Sequence, residues 1–150
     1  MKLLVLAPEP VDAAALRGTL GEEVEGAEVR VVSPARNSSG LAFWVSDADE
    51  AIGEAQEAAS QTVESLQSAG IEAQGDTGEA EPLQAIADAL ATFEADQVVI
   101  FVRAEEEESY REDDVAGRAE RRFGRPVAQH VLTSAPSRNY GRSSPPQDAG

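Results

Sequence analysis

Cysteine is absent from the chain, and histidine and lysine occur once each, as His130 and Lys2. The first absence excludes disulfides, thiolate metal sites and a cysteine nucleophile, and suits a reducing compartment. A single histidine excludes any histidine cluster, and no metal site is expected. Cations of either kind are few: 12 Lys and Arg stand against 28 Asp and Glu, a net charge of −16. Nucleic-acid binding depends on neutralising phosphates with basic side chains, so a uniformly acidic surface excludes DNA and RNA partners. Anionic membranes are disfavoured for the same reason. Long apolar runs are missing too. Met1–Ala7 is too short to span a bilayer or to form a signal-peptide core with its cleavage site. With Pro8 and Pro10 directly after it, this stretch reads as a first buried strand, and the expected compartment is the cytoplasm.

What is present suffices for one domain. The chain has 150 residues, 41% of them hydrophobic, enough for a core. Five strand-like segments alternate with four helix-like ones, the pattern of a doubly wound α/β sheet. The strands are expected at Leu3–Ala7, Glu28–Val32, Ile71–Gly75, Gln97–Val102 and Val127–Leu132. The first helix follows Asp12 as N-cap, carries Leu16 and Leu20 one turn apart, and closes at Gly21. Ser46 and Asp49 have capping-box spacing before the second helix. Its stripe is Ala48, Ala51, Ile52, Ala55, Ala59, Val63, Leu66 and Ala69, mostly small residues that permit close approach to a sheet. Gly70 stands where a helix-ending glycine belongs. Pro82 suits the start of a third helix bearing Leu83, Ile86, Leu90 and Phe93. A fourth carries Val115, Ala119 and Phe123. The domain is expected over 1–132, and residues 133–150, rich in Ser, Pro, Gly and Arg, are expected to be a disordered tail.

Strand order follows from burial. Central parallel strands, covered on both faces, read as unbroken apolar runs. Leu3–Leu6 and Val98–Val102 are such runs, whereas the third and fifth strands contain polar positions. A Rossmann-like three-layer sandwich of order 3-2-1-4-5 results, with its switch point between strands one and four. A ligand is expected beyond their carboxyl ends, at Ala7, Pro8, Glu9, Ser33, Phe101, Val102 and Arg103.

Segments 75–86 (Gly75-Asp76-Thr77-Gly78-Glu79-Ala80-Glu81-Pro82-Leu83-Gln84-Ala85-Ile86) and 95–100 (Ala95-Asp96-Gln97-Val98-Val99-Ile100), with Arg125-Pro126-Val127, resemble the universal stress proteins over roughly residues 1 to 132. The segment Asn37–Glu50, with Phe43-Trp44, departs from that family's usual members. The resemblance implies a cytoplasmic homodimer paired through the fifth strand, here Val127, Gln129, His130, Val131 and Leu132. Some members bind ATP, through an acidic residue ending strand one and a Gly-rich loop after strand four. Glu9 matches the first loosely, and the stretch Arg103–Asp114 has no glycine, seven acidic residues and two basic ones. A phosphate loop needs glycines that let backbone N–H groups close on the anion. A carboxylate about 4 Å from a phosphate charge costs about 1 kcal/mol even in water. The expectation is a non-catalytic dimeric module without a cofactor, acting through partners or a weakly bound ligand. The alternative is an ATP- or AMP-binding protein or slow hydrolase using Glu9, Ser33 and Arg103.

Other motifs favour plain readings. The acidic run Glu105–Glu108 with Glu112, Asp113 and Asp114 lacks calcium-loop spacing and is expected to be a solvated loop, its last two acids complementing a helix dipole. No G-x-S-x-G elbow surrounds Ser33, Ser38 or Ser39. Arg36, Arg103 and Arg111 suit surface ion pairs, and Phe43-Trp44 suits either a ligand cover or a local cap on helix two. The G-x-G-x-x-G of dinucleotide folds is missing at the first crossover.

Overall fold

A computed structural model describes residues 1–35 and 47–132, the backbone alone for 47–51. Its elements are β1 (Lys2–Leu6), α1 (Ala13–Leu20), β2 (Glu28–Pro34), α2 (Asp47–Ser68), β3 (Glu72–Gly78), α3 (Pro82–Leu90), β4 (Gln97–Arg103), α4 (Glu107–Glu112), α5 (Val115–Phe123) and β5 (Val127–Leu132). Short 3-10 turns follow α1 at Gly21–Val24 and β4 at Ala104–Glu106. The five strands form one parallel sheet of order β3-β2-β1-β4-β5, as burial patterning predicts. β1 and β4 are neighbours, and Leu3–Leu6 and Val98–Val102 are buried.

Alternation along the strands divides the core into two layers. On one face Leu3, Val5, Val29, Val31 and Val99 pack with Leu16 of α1 and Leu66 of α2. On the other Leu4, Leu6, Val98 and Ile100 pack with Ile86 of α3 and Ala119 of α5. Small residues bring α2 onto the sheet: at Gly75 an added Cβ would stand 2.9 Å from Val63 Cγ2 and 3.3 Å from Ala59 Cβ. Ile52, read as part of that stripe, is instead 42% exposed.

Capping follows the sequence closely. The Asp12 carboxylate accepts from the Ala15 N–H, and Glu81 accepts from the Leu83 and Gln84 N–H groups while Pro82 opens α3. Gly21 and Gly70 have positive φ at the two helix ends where a glycine was expected, and Gly124 does the same after α5. Ala95-Asp96 has a structural job: the Asp96 carboxylate accepts from the Lys2 N–H at 2.8 Å, and its own N–H donates to the Lys2 carbonyl at 2.7 Å. Arg125 Nη1 donates to the Ala95 carbonyl, tying the lead into β5 to the same corner.

Two expectations are corrected. β3 runs on to Gly78 instead of ending at Gly75, because β2 pairs with it residue by residue up to Pro34↔Gly78. The acidic stretch after β4 is not a loop but a 3-10 turn followed by α4, so the fourth helix expected from sequence is α5. The Ser46–Asp49 capping box, Arg36, Ser38, Ser39, Phe43-Trp44 and the tail lie outside the described residues or side chains.

Candidate functional site

The carboxyl ends of β1 and β4 lie side by side, with Leu6↔Ile100 their last pair in register. Ala7 continues the strand, its N–H donating to the Val32 carbonyl at 2.9 Å. Ser33 is fully buried on the neighbouring strand, and its hydroxyl donates to the Ala7 carbonyl at 2.7 Å. That bond satisfies a buried hydroxyl and ties β2 to the end of β1, which engages the one serine expected at the site. Ala7, Phe101 and Val102 are buried as well. They form its floor; their side chains belong to the core.

The accessible polar groups at the switch point are Glu9 and Arg103, brought together from positions far apart in sequence. Arg103 Nε donates to Glu9 Oε2 at 2.7 Å, and Nη2 donates to the Pro8 carbonyl at 3.3 Å. The Arg103 side chain is 12% exposed and that of Glu9 is 42% exposed. The guanidinium is therefore clasped by the turn after β1. A charge-assisted bond of this kind is stronger than a neutral one, and breaking it leaves a poorly hydrated cation.

α4 covers the other side of this corner. Tyr110, half-buried, packs on the second core layer. Its phenol is pushed up to about 12, chiefly by burial, then by the carboxylates of Glu106 and Glu81, with Arg103 opposing. It is a neutral hydrogen-bonding group at physiological pH. Asp114 stands at the N-cap of α5 in a left-handed conformation at φ 49°, the helix end expected for it, but its side chain makes no capping hydrogen bond. Its carboxylate pairs with Arg121 at 3.3 Å, lying where a Cβ on Gly117 would collide with it.

Among the described residues no nucleophile with a base partner is assembled here. His130 is exposed on β5, its ring 6.4 Å from that of Phe101, opposite it in register. Val127, Gln129, Val131 and Leu132 are partly buried along the same edge strand. Among the described residues, no three His, Asp or Glu side chains converge as a metal site, and no helix is long and apolar enough to cross a membrane.

Neither of the two larger concavities includes Glu9 or Arg103, although the first shares Phe101 with the switch point. A cleft of about 660 Å³ runs between α1, α2 and β5, floored by Val11, Ala15, Phe101 and Leu132 with His130 at its side. A groove of about 670 Å³ lies on the opposite sheet face, bounded by Arg30, Val32 and Gly78 of the sheet and Ala85, Asp88 and Ala89 of α3. Among the described residues α3 does not reach across that face of β2 and β3, where Gln74 and Asp76 are exposed. Sequence periodicity locates α3 but not how far across the sheet it lies, so this groove was not foreseen. Thr62 was also missed. It is buried in α2, accepts from the Val11 N–H at 3.0 Å and donates to the Ala58 carbonyl at 2.9 Å, fixing the crossover after β1. A lone threonine among alanines carries no signal of that distant partner.

The architecture places the chain among Rossmann-like doubly wound α/β proteins. No family model and no curated protein sequence matches it.

Proposed function

We propose that the chain is a non-catalytic module of the universal stress protein type, a cytoplasmic homodimer that acts through protein partners or a weakly bound ligand and carries no cofactor. The observation that carries this reading is the clasp at the switch point. Arg103, the cation found at the switch point among the described residues, is held by Glu9 and the Pro8 carbonyl. The glycine-free, carboxylate-rich α4 segment, where a phosphate cradle would be needed, supports it. Fold alone does not define activity, so the stress role rests on the resemblance.

The dimer part rests on β5. Among the described residues it ends the sheet, and each of its residues is at least partly exposed, which supports pairing through this edge. Sedimentation velocity is the direct check: a dimer that His130→Asp splits is expected, and a monomer at micromolar concentration refutes it. For the site, purified protein should carry no nucleotide, and sub-millimolar ATP should leave its melting temperature unchanged. An upward shift with ATP that Arg103→Ala abolishes would replace this reading with a nucleotide site at Glu9, Ser33 and Arg103.

A further inference from the structure

We propose that the face of α5 formed by Arg118 and Arg122, with Arg125 just beyond its end, docks a short acidic segment of a partner protein. The starting observation is where the few cations lie. Arg118, Arg121, Arg122 and Arg125 are four of the chain's 12 basic residues and fall within eight consecutive positions, with Glu120 the one acid among them. That stretch carries +3, four arginines less one glutamate, in a chain of net charge −16. Elsewhere the described cations are engaged: Arg17, Arg103 and Arg111 hold carboxylates, and Lys2 and Arg30 lie over the ring of Phe93. Arg121 pairs with Asp114 at 3.3 Å. Among the described residues Arg118, Arg122 and Arg125 form no ion pair.

Helical geometry gathers these side chains. Positions 118 and 122 are one turn apart, about 6 Å along the axis, and 121 and 125 flank them. Val115 and Ala119 are buried in the second core layer, while Glu120 turns to β5 and accepts from the Val127 N–H at 3.1 Å. Arg118, Arg121 and Arg122 are exposed, and Arg125 is half-buried. The unpaired guanidinium groups are held with donors to spare. Arg122 Cζ lies 5.0 Å from the centre of the Phe123 ring, and a stacked guanidinium keeps its N–H groups at its rim. Arg125 donates Nε to the Phe123 carbonyl and Nη1 to the Ala95 carbonyl, which leaves Nη2. Arg118 Nη1 reaches the Asp113 carbonyl at 3.5 Å. The helix dipole favours Arg121 and Arg122 in the last turn but opposes Arg118, the fourth residue of α5.

The chain supplies no internal partner for this face. Asp113 before the helix and Glu94 beside Ala95 are exposed, and neither forms an ion pair with these arginines. Residues 36–46 contain no Asp or Glu, and residues 133–150 contain one, Asp148, against Arg138 and Arg142. Asp47, Asp49 and Glu50 begin α2, which packs on the opposite face of the sheet. An arginine fork takes a carboxylate through paired N–H bonds, and the spacing of Arg118 and Arg122 suits alternate residues of an extended chain, about 6.6 Å apart. Outside the stretch 118–125 the protein carries −19, the −16 of the chain less this +3. A long polyanion such as DNA would run from the patch onto repelling surface, whereas a short acidic segment fits within it. At ~0.1 M salt the Debye length is about 10 Å, so distant repulsion is screened while direct contacts persist; at ~0.01 M it is about 30 Å and the whole negative charge acts.

The test is fluorescence anisotropy of a short alternating Glu-Ser peptide, labelled with an uncharged dye and titrated with the full chain. Saturable binding is expected, with the matching Gln-Ser peptide far weaker. Arg118→Gln combined with Arg122→Gln should weaken binding about tenfold, whereas Arg17→Gln combined with Arg111→Gln, the same loss of charge elsewhere, should change it less than about twofold. Affinity should be higher at ~0.1 M salt than at ~0.01 M. Five results would each overturn the proposal: no saturable binding; equal binding of the Gln-Ser peptide; equal losses in the two double variants; tighter binding at the lower salt; or a single-stranded oligonucleotide that binds as tightly, which would make the face a phosphate surface. The inference rests on the functional reading above only for the existence of a protein partner. An ATP-induced shift that depends on Arg103 would replace that reading and leave peptide binding at α5 intact, so the two failures are distinguishable.

Discussion

Replacing Gly78 by alanine should destabilise the protein, although the backbone there needs no glycine for its torsion angles. A Cβ at this position would stand 2.7 Å from Val32 Cγ1 and 3.3 Å from Ala85 Cβ. Val32 is 3% exposed and β-branched, so it has neither free space nor an easy alternative rotamer. Overpacking of a close-packed site costs about 1–3 kcal/mol. Against this, alanine restricts the unfolded chain and returns about 0.4–1 kcal/mol. Steric strain wins, and a net loss of about 1–2 kcal/mol is expected, a fall of roughly 3–6 °C in Tm for a domain of this size. Val32→Ala alone should also destabilise, by removing two buried methyl groups. The double variant V32A/G78A tests the cause, because the new methyl then occupies space that valine has vacated. Its destabilisation should fall short of the sum of the single effects by about 1 kcal/mol or more in urea unfolding. Strict additivity, or a stabilised Gly78→Ala protein, would refute the packing of β3 against α3.

Three further outcomes can be checked on the same material. Thr62→Val keeps the shape of the side chain but leaves the buried Val11 N–H without an acceptor, a loss of about 1–3 kcal/mol in urea unfolding that Thr62→Ser should largely avoid. In a Tyr140→Phe background, phenolate absorbance should titrate with a midpoint near 12 while circular dichroism still reports the fold. Because the folded state retains this proton above the unfolded value of about 10, Tyr110 contributes stability that is complete below that value and lost as pH rises towards 12. A midpoint of about 10 in folded protein would contradict the packing of α4. Arg103→Met should leave the Glu9 carboxylate unpaired but able to hydrate; Glu9→Gln removes the counter-charge of a poorly hydrated guanidinium and should lower the melting temperature through the same clasp. If neither variant melts lower than the parent, the clasp contributes nothing.

Several features were legible in the residues because their physical causes are local or depend on burial alone. Unbroken apolar runs at Leu3–Leu6 and Val98–Val102 can be satisfied only by strands covered on both faces, so the central pair of the sheet followed. Asp12, Pro82, Gly70 and Gly124 mark helix ends through their own torsional and hydrogen-bonding preferences. The glycine-free acidic stretch was visible too, but not its α4 helix, whose one anchoring side chain is Tyr110.

Tertiary structure decided the rest, since it depends on partners distant in sequence. Gly75-Asp76-Thr77-Gly78 has no strand pattern of its own and becomes β3 because β2 offers it a ladder of hydrogen bonds. Glu9 and Arg103 are 94 residues apart, and the switch-point clasp arises only when parallel β1 and β4 end at the same level. Lys2, Arg30 and Phe93 meet for the same reason, from three separate segments. Periodicity identifies which side of an element is buried, but the position of a neighbouring element across the sheet depends on the volume of every side chain between them. Among the described residues that packing leaves the groove beside α3 and closes the corner at Arg103.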